Sequence, residues 1–156
     1  MAISPQMKSR LEAISALAQN GYTVKKEWDA FPCLVAANGT KKPINLFSNP
    51  AGFSWIGFFF PFAVCTQIKE WSYFYVSGAL FLITSIISAV IRTDLSNAAG
   101  MVIGIMYGMY FPYLRYMAKE KDTEENSVGF SIVVGLLLAI AVAVPSIVID
   151  LIAFPD

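Results

Sequence analysis

The sequence predicts an all-α integral membrane helical bundle with a small α+β appendage at its N-terminal end. Two observations predict this. Hydrophobic residues make up 56% of the 156-residue chain and charged ones only 14%, where soluble domains average about 25% charged. The apolar residues also gather into long uncharged stretches after residue 48, whereas the first 48 residues are mixed. Net charge is zero and histidine is absent. That balance excludes a nucleic-acid binder relying on a basic field, and every mechanism that needs a histidine.

The appendage, residues 1–48, reads as a helix followed by short strands. Pro5 suits a first helical turn after Ser4. Met7, Leu11, Ile14, Leu17 and Ala18 recur on one helical face, and Asn20-Gly21 gives a left-handed stop. Tyr22 to Trp28 and Phe31 to Ala36 are rich in β-formers, and Asn38-Gly39 is a hairpin-type turn from which Lys41 to Phe47 can return. So small a unit buries little on its own, so its apolar face calls for its own hairpin with the membrane interface, or for a partner protein. Lys25, Lys26, Lys41 and Lys42 read either as partners of anionic lipid headgroups or as ordinary solvated lysines, and Lys41 and Lys42 are assigned to the membrane interface.

The membrane part, residues 49–156, holds four apolar stretches. Residues 72–91 and 128–149 meet the roughly 20 apolar residues that a spanning helix needs, and 98–114 meets it with a turn borrowed at either end. The fourth, 52–66, is short, broken by Pro61 and aromatic, so it is a short span or an in-plane or re-entrant element. Trp55, Trp71 and Tyr73 are assigned to the membrane interface.

Charge decides between three and four spans. If 52–66 does not cross, Lys8, Arg10, Lys25, Lys26, Lys41, Lys42, Lys69, Arg115, Lys119 and Lys121 fall on one side and Arg92 alone on the other. If it crosses, Lys69, Arg115, Lys119 and Lys121 move to the opposite side from the appendage. Basic flanks favour the cytoplasm, so three spans are expected, with the N-terminus cytoplasmic and the C-terminus outside. Residues 115–127 are then a solvated cytoplasmic linker.

Small residues form two stripes at four-residue spacing: Gly100, Gly104 and Gly108, and Gly135, Ala139 and Ala143, which Ser131 extends. Such stripes let helix backbones approach closely in lipid. Facing one another within the chain is the first expectation, and packing against a second copy or a partner subunit is the other. No charged residue lies inside an expected span, which argues against a proton-coupled transporter. Cys33 and Cys65 read as reduced thiols, and no signature of a catalytic, metal or cofactor site occurs.

Phe53-Ser54-Trp55-Ile56-Gly57-Phe58-Phe59-Phe60-Pro61-Phe62 resembles the aromatic-Asn-Trp-x-x-Phe-Phe-Phe-Gly-Pro-Phe opening of domain-of-unknown-function family 2628. Ile68 to Trp71 and Tyr107 to Lys121 stand where that family carries a basic-aromatic stretch and a Tyr-rich basic segment, so the resemblance covers about residues 47–121. Ser54 replaces the usual Asn, Phe60 the usual Gly, and the basic cluster is reduced to Lys69. The resemblance implies a small bacterial inner-membrane protein and no particular activity. The functional expectation is a non-catalytic accessory or scaffold subunit, with membrane lipid and a second copy or a membrane protein as partners and no nucleic acid. The alternative is a homo-oligomeric channel or uncoupled carrier.

Overall fold

The computed structural model describes residues 4–153. Ser4 caps the first helix, α1 (Pro5–Gln19), by accepting a hydrogen bond from Met7 N at 3.2 Å. Met7, Leu11 and Ile14 form its buried face, and Gly21 takes the left-handed conformation just past its end. Three antiparallel strands follow in spatial order: β1 (Tyr22–Glu27), β2 (Phe31–Ala36) and β3 (Lys41–Pro43). The Asn38-Gly39 turn closes with Gly39 N donating to Ala36 O at 2.8 Å. The return strand is shorter than the expected run to Phe47. Pro43 supplies no donor for a longer ladder, and Asn45 turns the chain away by accepting from Ser48 N at 2.7 Å.

The remaining chain is helical: α2 (Trp55–Phe59), α3 (Pro61–Gln67), α4 (Ser72–Ile91), α5 (Ser96–Glu120) and α6 (Val128–Ala153). The fold is thus mostly helical with one small sheet near its N-terminal end. Helices α4 and α6 are long and apolar enough to cross a membrane. Their outward faces carry Ile83, Ile86, Val90, Val133, Leu137 and Ile140, all exposed.

Helix α5 is the hub, with α1, α2, α4 and β2 packed on it. It buries Ile103, Tyr107, Phe111, Tyr113 and Leu114. It also outruns the expected 98–114 and takes up the first residues of the expected solvated linker. Tyr116 is buried there and donates to Glu120 at 2.7 Å, one turn on, which extends the helix to Glu120.

Helices α4 and α6 pack against each other. At one end Arg92 Nη1 donates to Ala153 O at 3.1 Å and Ser85 Oγ to Asp150 at 3.3 Å, tying the ends of α4 and α6 together. The chain turns back there through residues 92–95. Asp94 accepts from Ser96 N at 2.9 Å, a bond that holds its carboxyl below the ordinary carboxylate value. At the other end lie the sheet, α1 and the 121–127 loop.

Candidate functional site: a helical hairpin and a groove beside the sheet

Helices α2 and α3 form a hairpin packed on α5 and α6. On the way in, Asn49 Nδ2 donates to Met109 O at 3.3 Å, and Tyr113 Oη donates to Asn49 Oδ1 at 2.8 Å. Arg10 Nη2 donates to Phe53 O at 2.6 Å. Ser54 N donates to Gly108 O at 2.7 Å, and Ser54 Oγ accepts from Gly57 N at 3.3 Å, capping α2. On the way out, Asn126 N and Nδ2 donate to Gln67 O and Thr66 O, each at 2.9 Å. The break between the arms is at Phe60-Pro61, where proline starts α3.

The small-residue stripes receive this hairpin. A Cβ on Gly104 would stand 3.1 Å from Phe58 O, and one on Gly108 would meet the Phe53 ring. From the other side, a Cβ on Gly57 would stand 2.7 Å from Tyr107 O. A Cβ on Gly135 would stand 2.7 Å from Phe62 O. The two stripes therefore do not face each other as first expected: α2 fills one and α3 the other. Gly100 lies off this contact, with nothing within 4 Å, and Ala139 and Ala143 are half-buried. Across α4 and α6 the close approach is instead at Gly78, beside Val142.

The expected interface residues divide. Trp55 is 65% exposed and stacks on Phe59 at 6.0 Å between centroids, forming an aromatic ledge on the outer face of α2. Trp71 is also exposed. Tyr73 is not: it is 6% exposed and packs edge-on against Tyr107 at 4.9 Å, while Tyr75 presents the outward ring. Lys42 is exposed, and Lys41 pairs with Glu27 at 2.7 Å.

A groove of about 750 Å³ opens between the β1–β2 hairpin, the start of α4 and the face of α5. Its floor is Met106, Leu114 and Met117, and its wall is Val76, Ala79 and Leu80. The polar groups sit at one end: Lys26, Asp29, Lys69, Glu70, Lys121 and Thr123. Lys26 and Glu70 form an ion pair, both side chains less than one-fifth exposed. Glu70 also accepts from Ser72 Oγ at 2.5 Å, joining the sheet to the first turn of α4. At the groove's edge Trp28 is 90% exposed, and Trp28 and Asp29 both have positive φ (51° and 55°). Two consecutive non-glycine residues in that region store backbone strain.

A second cavity, about 390 Å³, lies where α1, α3, α5 and α6 meet. Arg115 reaches it, held by both carboxylate oxygens of Glu125 at 2.8 and 2.9 Å, with its buried Nε unpaired. No cluster of three or more His, Cys, Asp or Glu side chains that could hold a metal occurs among the described residues.

The residues that organise the site without having been singled out for it are Asn49, Ser54, Gly57, Glu70 and Asn126. One signal was present in the sequence. Pro112 has no N–H for the carbonyl four residues back, which leaves Gly108 O open to an outside donor. No family model, curated protein or solved structure matches the chain.

Proposed function

We propose that this chain is a non-catalytic integral membrane protein of the bacterial inner membrane. It serves as an accessory or scaffold subunit, with the N-terminus and the sheet in the cytoplasm. The observation that carries the reading is the outward face of α4 and α6, apolar along its length, in a bundle whose charged residues gather mainly at one end. Water does not solvate such a surface, and lipid does. The third crossing in this reading is α5, which is supported by α4 and α6 ending side by side while α6 begins beside α3. The cytoplasmic assignment rests on the basic residues: all but Arg92 lie at the end that holds the sheet. The resemblance of residues 47–121 to domain-of-unknown-function family 2628 points to the same compartment.

The scaffold part of the reading is supported by rigid apolar surface and by what the spans lack. Trp55, Ile56, Phe59 and Phe60 stand exposed on a hairpin braced at both ends. Ser77, Ser85, Ser88, Ser131 and Ser146 are buried singly between helices, and nothing among the described residues favours a pore. The partner is a second copy or another membrane protein.

The test uses single cysteines at positions 9, 93 and 127 in a chain lacking Cys33 and Cys65, together with a photo-crosslinking residue at Phe59. Positions 9 and 127 should label from the cytoplasm only, position 93 from outside only, and Phe59 should crosslink to protein in the native membrane. Carbonate extraction of the chain would overturn the membrane reading, and 93 and 127 labelling from one side would overturn the three-span threading. A chain that stays monomeric and yields no crosslink would overturn the scaffold.

A further inference from the structure

The groove between the β1–β2 hairpin, α4 and α5 has the shape and polarity of a site for one amphiphile. Its lining on α5 runs from Met106 to Lys121, about 22 Å at 1.5 Å per residue. One leaflet of the hydrocarbon core is about 15 Å thick, so the groove covers a leaflet and the headgroup zone above it. Polarity changes along the groove in the same sense as across that boundary. The charged side chains cluster at the sheet end, and Val76, Ala79, Leu80 and Met106 line the deeper part. The volume of about 750 Å³ falls in the range of sites that take a drug-sized molecule, enough for a headgroup with one acyl chain but not for a whole phospholipid.

Charge narrows the occupant. Lys26, Lys69 and Lys121 face Asp29 and Glu70, and Lys26 is neutralised by Glu70. Lys69 and Lys121 then exceed Asp29 by one positive charge. A single phosphodiester anion balances that, whereas a zwitterionic headgroup adds nothing to it. The strained, exposed Trp28 and the exposed Trp71 and Tyr75 line the same groove. Amphipathic rings of this kind sit at headgroup level in a bilayer.

We propose that this groove holds one anionic phospholipid, with its phosphate between Lys69 and Lys121 and one acyl chain along α5 against α4. The proposal rests on the membrane reading above. The lipid would join the sheet to the first turns of α4, at the place where Lys26 and Glu70 already link them.

The test is lipid binding to the delipidated full chain in mild detergent, read by native mass spectrometry. The probes are phosphatidylglycerol, phosphatidylcholine with the same acyl chains, and inorganic phosphate as a competitor. Phosphatidylglycerol should bind one per chain, about tenfold or more tighter than phosphatidylcholine. K69E/K121E should weaken it about tenfold or more, since each lysine near an anionic headgroup is worth roughly a factor of five. K41E/K42E removes the same charge from β3, outside the groove, and should leave binding unchanged. A79L, which narrows the apolar part, should weaken phosphatidylglycerol without altering the response to phosphate. Equal binding of the two lipids, equal loss in the two charge-reversed variants, or full displacement by phosphate alone would overturn the proposal. Carbonate resistance of the same variants separates the two failures: a K69E/K121E chain that remains in the membrane tests the groove alone.

Discussion

Replacing Gly57 by alanine tests whether α2 is seated on α5 by backbone contact. The added Cβ would lie 2.7 Å from Tyr107 O and 2.9 Å from Phe111 Cβ. Ordinary contact begins near 3.4 Å, so α2 must retreat by about 0.7 Å from a backbone carbonyl that cannot swing aside. Overpacking of this kind costs about 1–3 kcal/mol. The retreat also strains the buried bond from Ser54 N to Gly108 O, worth about 1 kcal/mol net. Helix propensity returns at most about 1 kcal/mol. The net is about 2 kcal/mol destabilising. For a chain of this size that lowers Tm by about 4–8 °C, read as thermal unfolding in detergent. G100A is the matched control, since nothing lies within 4 Å of it, and it should hold or raise Tm by up to about 4 °C. Equal losses in the two variants would refute the reasoning, because the hairpin would then not distinguish Gly57 from Gly100. An unchanged G57A would refute it too.

Three further outcomes follow from the same structure. Glu125→Ala leaves the guanidinium of Arg115, 13% exposed, without its carboxylate; it should cost about 2 kcal/mol, read as the same Tm shift, with Glu125→Gln in between. Burial, helped by the carboxylate of Glu27, pushes the Cys33 thiol above its ordinary value of 9.0. The folded chain therefore keeps a proton that the unfolded chain loses, so this contribution to stability is present below about pH 9 and declines as pH rises above it. Cys33 should alkylate slowly at pH 8 until denaturant is added, and C33S should flatten the alkaline loss of stability. Trp28→Asn with Asp29→Gly places turn-forming residues where φ is positive and should raise Tm by about 2–4 °C, a relief of about 1 kcal/mol; an unchanged or lower Tm would remove strain as the explanation.

Much of the sheet end was legible because its signals are local. The spacing of Met7, Leu11 and Ile14 marks the face that α1 buries, and Asn38-Gly39 specifies a turn whatever surrounds it. The split of basic residues bears on residues 52–66 because insertion reads charge, while the contacts of that segment are set by Met109 on one side and Asn126 on the other. The stripes were legible as stripes and not as interfaces. Periodicity states which side of a helix is small, while what fills the small side depends on partners distant in sequence. Tyr73 marks the same limit. An aromatic residue at a helix start is placed at the interface by composition, but its direction is set by Tyr107 on another helix.

Pro112 shows how such a distant partner is chosen. A proline inside a helix is expected to cost about 3 kcal/mol, chiefly because the carbonyl one turn back loses its donor. In α5 that carbonyl belongs to Gly108, a residue without a side chain to cover it. An open acceptor beside a bare backbone forms a docking point that a leucine-rich helix would not offer, and Ser54 N occupies it at 2.7 Å. The Ser54 hydroxyl is then free to cap α2, so one residue satisfies the orphaned carbonyl of one helix and starts the next. The same proline and glycine that look unfavourable within α5 are therefore what fixes the aromatic hairpin against it, and with it the exposed ledge of Trp55 and Phe59.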